Sequence, residues 1–136
     1  MHTDFYVSTN RSLLDIDLIH HFLTHQSYWA QGRDRTTVER SIEHSLCFGV
    51  YTQANEQVGF ARVVTDYSVF AWLMDVFILE AYRGQQLGQY LLSEIMSYPS
   101  LQGLKRWGLA TKDAHGLYEK YGFTLLSKPE TMMERI

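Results

Sequence analysis

The sequence has little of what secreted, membrane or nucleic-acid-binding proteins usually carry. Cys47 is its single cysteine, so no disulfide bond can form within the chain. The 12 lysines and arginines are outnumbered by 15 acidic residues, whereas a nucleic-acid-binding surface normally shows a basic face. No apolar run is long enough to cross a bilayer, and residues 1–4 lack the basic and apolar regions of a signal peptide. These absences predict a cytoplasmic protein that binds neither membrane nor nucleic acid.

Length and composition predict a single domain over residues 1–136. A chain of 136 residues has the usual size of one domain, and its 46% of hydrophobic residues is enough for a packed core. No internal repeat, linker or low-complexity tract divides the sequence.

Residues 75–92 are the most informative part of the sequence. A hydrophobic strand leads into a short turn, a glycine-bearing loop and an amphipathic helix. The first N–H groups of a helix have no partner within it, and the helix dipole adds partial positive charge there. Gly84 and Gly88 leave the backbone uncovered, and Arg83 adds a cation. The pattern predicts a phosphate-binding loop, the alternative being a helix start that needs glycine only for a tight turn.

Two familiar glycine loops do not match this segment. A P-loop ends in Gly-Lys-Ser or Gly-Lys-Thr, and neither follows here. The dinucleotide fingerprint requires G-x-G-x-x-G, and the glycine spacing differs. The loop instead resembles the acetyl-CoA loop of the GNAT (Gcn5-related) N-acetyltransferases, whose pattern is Arg or Gln, two residues, Gly, one residue, then Gly or Ala. Arg83 and Gly88 match its ends, Gly84 matches a common Arg-Gly opening, and Gln86 replaces the middle glycine.

A second segment, residues 110–123, resembles the other hallmark of the same family. The family has an alanine, then Leu-Tyr-Glu-Lys, an aromatic residue and Gly-Phe. The matching positions are Ala114, Leu117, Tyr118, Gly122 and Phe123. Thr111 stands where the family usually has an asparagine that bonds the pantetheine arm. The resemblance covers roughly residues 48–127.

Apolar periodicity predicts the order strand, two helices, three strands, helix, strand, helix, strand. The predicted strands cover residues 5–8, 47–52, 58–65, 69–79, 104–110 and 123–126, with 132–136 as a further one. Capping boxes formed by Ser12 with Asp15 and by Thr36 with Glu39 begin the first two helices. This order predicts an α/β fold with a mixed sheet and helices on both faces. The resemblance implies the GNAT fold, a mostly antiparallel sheet of six to seven strands flanked by about four helices.

The resemblance implies acetyl-CoA as co-substrate, no metal, and acetyl transfer to a primary amine by direct attack in a ternary complex. The residues it places against acetyl-CoA are Val76, Phe77, Ile78, Arg83, Gly84, Gln85, Gln86, Leu87, Gly88, Gln89 and Thr111. It makes Tyr118 the general acid that protonates the departing thiolate. Tyr121 competes for that role, and simple packing of the Tyr118 ring against the sheet is the alternative.

The base and the acceptor pocket are less specific in sequence. Asp75 interrupts an apolar strand, where a charge is costly unless it is paired or functional, so it is a candidate base. The alternative is that Asp75 forms an ion pair with Arg62 or Lys105 or caps a turn, and Glu80 is a second candidate base. The loop after the first helix is expected to form an aromatic pocket with a cation that binds the acceptor. The alternative is a surface loop anchored by its tryptophan. Its residues are Tyr28, Trp29 and Arg33.

Other functions remain open. The departures at Gln86 and Thr111 are also consistent with a CoA-binding regulatory module without turnover, and pocket depth decides whether a longer acyl group is transferred. His21 and His25 lie one helical turn apart without a third ligand, so no metal site is predicted. A homodimer that pairs residues 132–136 across its interface is also possible.

Overall fold

The computed structural model describes residues 3–136 as a five-stranded sheet with four α-helices. The strands are β1 (Phe5–Ser8), β2 (Leu46–Thr52), β3 (Gln57–Thr65), β4 (Phe70–Ile78) and β5 (Arg106–Leu109). The helices are α1 (Ile16–His25), α2 (Arg35–Glu43), α3 (Leu87–Met96) and α4 (His115–Glu119). Short 3-10 turns lie at Arg11–Leu13, Glu80–Tyr82, Pro99–Leu101 and Pro129–Thr131. Within residues 3–136 no helix has the length and apolar character needed to span a bilayer.

The sheet follows chain order, and both of its faces are covered. Strands β1 to β4 are antiparallel neighbours, and β5 joins the edge of β4 in parallel. One face packs against α3 through a cluster that includes Phe48, Val63 and Leu91. The other packs against α1 and α2 through Phe22 and Phe77, whose rings stack with centroids 4.0 Å apart. The predicted α/β class and the predicted mixed sheet are confirmed.

A bulge in β4 shapes the region where a site can form. The register of β4 against β3 shifts between Phe60 and Arg62, and Asp75 adopts a left-handed backbone conformation with φ of 55°. Strand β5 pairs with β4 only as far as the partners Leu73 and Leu109. Beyond this point the β4 edge has no strand partner on that side among residues 3–136, and a cavity opens between the two strands.

The two predicted capping boxes are wrong. Helix α1 is capped by Asp15, whose carboxylate accepts the Leu18 N–H, and α2 is capped by Asp34, which accepts the Thr37 N–H. Ser12 lies instead within the preceding 3-10 turn. A carboxylate before the first turn suits the helix dipole, so the nearby aspartate takes the capping position in both cases.

The predicted strands at residues 123–126 and 132–136 are absent, which leaves five strands in residues 3–136 instead of six to seven. Phe123 packs edge-on against Trp107 and Tyr118, while Leu125 is 79% exposed and Ile136 is fully exposed. A segment with apolar side chains forms a strand only where its backbone can hydrogen-bond to a free sheet edge. Sequence periodicity does not show whether such an edge is available.

Candidate active site

A cavity of about 450 Å³ lies where β4 and β5 separate. Four parts of the chain form its wall: the loop between α1 and α2, the end of β4, residues 110–114, and α4. Predicted site residues brought together there are Tyr28, Trp29, Arg33, Asp75, Val76, Thr111 and Tyr118. The glycine loop, Phe77, Ile78 and Glu80 do not line this cavity.

The Asp75 carboxylate is fully engaged in hydrogen bonds. Its side chain is 1% exposed, and Oδ2 accepts from Arg33 Nη1 and from Arg62 Nε, both at 2.9 Å. Its Oδ1 accepts from Trp29 Nε1 at 2.9 Å. The ion pair with Arg62 considered from the sequence is therefore present, and Arg33 is a second partner that the sequence did not reveal. Two guanidinium groups share one carboxylate, which leaves one positive charge in excess.

The loop between α1 and α2 is fixed on both sides of the cavity. Trp29 and Arg33 attach it to β4 through Asp75. On the opposite side, the Tyr28 hydroxyl accepts the Lys112 N–H at 2.8 Å, and the Lys112 ammonium lies 5.4 Å from the centre of the Tyr28 ring. No sequence motif includes Lys112, so this contact could not be predicted from the sequence. The loop is thus anchored at two points and forms one wall of the cavity.

Tyr118 presents a hydroxyl group to this cavity. The residue is 8% exposed and lines the cavity, and no side-chain hydrogen bond of its hydroxyl occurs among residues 3–136. Burial raises the pKa of Tyr118 to about 12, with smaller contributions from Tyr28 and Asp113. The phenol therefore stays protonated at neutral pH and is able to donate a hydrogen bond.

Tyr121 is committed to structure. Its hydroxyl donates to the Gln89 carbonyl at 2.8 Å and lies 3.1 Å from Ser93 Oγ. These contacts fasten the segment after α4 to α3. Of the two tyrosines that competed for the acid role, only Tyr118 has a free hydroxyl at the cavity.

The glycine loop gives α3 an uncovered N-terminus. Gly84 and Gln86 both adopt positive φ, 83° and 62°, and the first intrahelical bond runs from the Tyr90 N–H to the Gln86 carbonyl. The N–H groups of residues 86–89 have no partner within the described chain. A Cβ added at Gly88 would touch only a methyl group of Leu117 at 3.6 Å, so the chain's own packing does not require glycine there. These four amides form a suitable cradle for an anion.

The other residues around the loop have defined positions. Arg83 Nε donates to the Ile78 carbonyl at 3.0 Å, so this side chain braces the turn. The Gln86 side chain is exposed and makes no hydrogen bond across the loop within residues 3–136. Thr111 Oγ1 accepts the Ala114 N–H at 3.1 Å and thereby shapes the entry to α4. Glu80 is exposed in the 3-10 turn after β4.

Two other chemically interesting groups lie outside the cavity. The His21 and His25 rings are 5.0 Å apart, and residues 3–136 contain no cluster of three metal-ligating side chains. Cys47 is buried in β2, and burial raises the pKa of its thiol to about 11. A thiol of this kind is a poor nucleophile at neutral pH.

Comparisons with known proteins agree with this geometry. A family model described as an acetyltransferase (GNAT) domain matches residues 43–125, more than half of the chain. A candidate acetyltransferase of Gibberella zeae is 30% identical over 138 residues, covering 86% of this chain and 77% of the relative. The crystal structure of a candidate acetyltransferase of the GNAT family from Xanthomonas campestris pv. campestris matches with a TM-score of 0.96 and 48% identity, covering 100% of this chain and 95% of that chain.

A more distant structure contains bound acetyl-CoA. A GNAT family acetyltransferase from Elizabethkingia anophelis with acetyl-CoA bound matches with a TM-score of 0.68 and 15% identity. The match covers 93% of this chain and 80% of that one. At this identity the likeness is one of fold alone.

Proposed function

Because the chain belongs to the GNAT acetyltransferase family, we propose that it transfers the acetyl group of acetyl-CoA to a primary amine by direct attack in a ternary complex. The observation that carries this proposal is the free Tyr118 hydroxyl at a cavity bordered by the unpartnered edge of β4. The position of Tyr118 on the cavity wall leaves its hydroxyl able to reach a bound coenzyme.

The coenzyme fits two features of the chain. The four free amides at residues 86–89, at the positive end of α3, suit its diphosphate. The edge of β4 at Val76–Ile78, which lacks a strand partner beyond Leu73, suits the amide groups of the pantetheine arm. Thr111 borders the same cavity from the other side. Acetyl-CoA supplies the activated acetyl thioester.

A backbone donor at the bulge supplies electrostatic stabilisation. Val76 lines the cavity beyond the last β4 residue that pairs with β5, and we assign its N–H as the donor to the thioester carbonyl. As the amine attacks, that oxygen gains negative charge, and one well-aimed donor contributes about 3–4 kcal/mol. The C–N bond forms, the C–S bond breaks, and the thiolate leaves.

Tyr118 acts on the departing thiolate as a hydrogen-bond donor. With a phenol pKa of about 12 and a reference thiol near ~8.5, complete proton transfer to a free thiolate is uphill by about 5 kcal/mol. Tyr118 therefore stabilises the sulfur as its charge develops, and the cleaved thiolate then takes up a proton from solvent. The amine loses one proton in the same cycle, so protons balance.

Asp75 is better suited to positioning than to accepting this proton. Its two oxygens already accept from three donors, two of them guanidinium groups. Protonation would break a buried ion pair. Asp113 lines the same cavity and forms no ion pair within residues 3–136. We therefore assign Asp113 as the base that accepts the proton of the attacking amine, directly or through water.

Two measurements on the purified chain test the proposal. Acetyl-CoA and CoA are expected to raise the melting temperature, and acetyl-CoA with a panel of primary amines is expected to release free thiol. Binding without release on any amine would favour a regulatory module and contradict acetyl transfer. Repeating the assay with propionyl- and butyryl-CoA measures how long an acyl chain the cavity accepts.

A further inference from the structure

The Arg33 guanidinium makes only one of its possible hydrogen bonds to the part of the protein that the structure describes. Nη1 donates to Asp75, while Nε and Nη2 have no hydrogen-bond partner among residues 3–136. A guanidinium carries five N–H donors in a rigid fork, so most of them stay available. The side chain is 20% exposed, and Arg33 lines the cavity that also contains Tyr118.

The charge around Asp75 is unbalanced toward the positive side. Arg62 is the deeper partner, with a side chain 9% exposed, and its remaining nitrogens donate to Ser45 Oγ and Met74 Sδ. One carboxylate therefore neutralises one of two guanidinium groups, and the surplus charge reaches the cavity only through Arg33. The other charged residues on the wall, Lys112 and Asp113, are exposed and of opposite sign.

The surroundings of Arg33 suit a small molecule with an apolar body. Trp29 and Trp72 line the same cavity, and their rings offer flat surfaces for methylene or aromatic groups. The cavity measures about 450 Å³ and must also admit the acetyl end of the coenzyme, so the remaining space fits a small acceptor better than a protein side chain on a folded surface.

We propose, building on the acetyl transfer described above, that the acceptor is a small amino acid whose carboxylate binds the free N–H groups of Arg33. The amine then lies in the same cavity as Tyr118 and attacks the thioester, and the products are the N-acetyl amino acid and CoA. Asp75, which also accepts a hydrogen bond from Trp29, holds the arginine in place, and the bidentate fork of its guanidinium matches the two carboxylate oxygens.

The test compares each amino acid with its own carboxamide. Thiol release from acetyl-CoA is measured with α-, β- and γ-amino acids, including aromatic ones, and with the matching carboxamides. For at least one pair, kcat/KM for the carboxylate should exceed that for the carboxamide by about tenfold to a hundredfold, as expected for charge-assisted hydrogen bonds. The amine of an α-carboxamide is less basic than that of the matching amino acid, so a larger fraction of it is unprotonated at neutral pH. This difference favours the carboxamide and cannot produce the expected preference for the carboxylate.

Three variants connect the preference to Arg33. In Arg33→Gln the carboxylate-to-carboxamide ratio should fall to about one, mainly through KM, and Arg33→Lys should restore part of it since a charge without the fork remains. Arg40→Gln removes the same charge from the exposed side of α2 and should keep the wild-type ratio. Urea unfolding and acetyl-CoA titration of each variant show whether Arg33→Gln merely unfolds the loop.

A binding measurement tests the proposed ligand class independently of acetyl transfer. Tryptophan fluorescence of the CoA-loaded protein, titrated with each carboxylate and carboxamide, reports ligands near Trp29 and Trp72. Preferential carboxylate binding that Arg33→Gln abolishes, with no thiol release, would contradict acetyl transfer and support the ligand class. Carboxamides that bind and react as well as carboxylates would overturn the inference while acetyl transfer stands.

Discussion

At the scale of single residues, the two tyrosines of the α4 region have separate tasks. Replacing Tyr118 by Phe removes the hydrogen bond to the departing sulfur and leaves the packing of the ring. We expect kcat to fall by about a hundredfold or more, with the acetyl-CoA dissociation constant unchanged. Steady-state kinetics and isothermal titration measure the two quantities.

Tyr121→Phe is the matched control for Tyr118→Phe. It removes the hydrogen bond to the Gln89 carbonyl, so it should lower the free energy of unfolding by about 1 kcal/mol. Its kcat should remain near that of the unmodified chain. Equal losses of kcat in both variants would show that the Tyr118 effect is structural.

Tyr51 offers a stability prediction at the same scale. Its hydroxyl is buried without a hydrogen-bond partner in the described structure, over the backbone of Gly49. An unsatisfied buried hydroxyl costs about 1–3 kcal/mol, so Tyr51→Phe should raise the free energy of unfolding in urea. A lower value would mean that the hydroxyl has a partner, such as buried water.

The pH dependence of this effect has a definite sign. Burial raises the pKa of Tyr51 to about 12, whereas a tyrosine in the unfolded chain ionises near ~10. Above pH ~10 the unfolded state binds fewer protons, so stability falls as pH rises toward about 12. Tyr51→Phe removes this contribution, and its advantage should therefore grow between pH ~10 and ~12.

At the scale of elements, the start of α3 departs from the family pattern in a way that costs stability. Gln86 holds φ of 62°, a conformation that glycine adopts without strain. Gln86→Gly should raise the free energy of unfolding by about 1 kcal/mol and should not weaken acetyl-CoA binding, because the amides keep their direction. Thermal unfolding and titration test both statements.

Gln85→Gly is the matched control for the Gln86 variant. Gln85 does not have positive φ, so glycine there adds flexibility to the unfolded chain without relieving strain. We expect it to lower stability slightly. If both substitutions have the same effect, the left-handed conformation at Gln86 is not the cause.

The elements also show what sequence patterns can and cannot predict. Strands β2 to β4 were predicted to within one residue at each end, because their apolar pattern coincides with burial. Residues 123–126 have the same apolar character, but the chain finds no sheet edge for them. Pairing of this kind depends on distant backbone, which a local pattern does not contain.

The site was predictable to a similar degree. The glycine loop and Tyr118 belong to motifs of fixed spacing, so the sequence places them. The contact of Asp75 with Arg33 spans 42 residues, and that of Tyr28 with Lys112 spans 84. No periodicity links positions so far apart, and only the folded chain shows that they form one wall.

At the scale of the whole molecule, Asp75 joins β3, β4 and the loop between α1 and α2. Asp75→Asn keeps a side chain that tolerates the left-handed conformation, so it isolates the loss of charge. It leaves Arg62 buried without its counter-ion, and removal of one partner of such a pair costs about 3–5 kcal/mol. Urea unfolding measures this loss.

Asp17→Asn is the control for the Asp75 variant. Asp17 forms an exposed ion pair with Arg35, which solvent screens, so its loss should change stability far less. A comparable loss in both variants would mean that the Asp75 cluster contributes no more than a surface contact.

The central claim is that one cavity brings a coenzyme thioester and the Tyr118 phenol together. A crystal structure of the chain with CoA bound tests it most directly. We expect the diphosphate oxygens within hydrogen-bonding distance of the amides at residues 86–89 and the sulfur within hydrogen-bonding distance of the Tyr118 hydroxyl. A diphosphate bound elsewhere, or a sulfur that lies outside the cavity between β4 and β5, would contradict it.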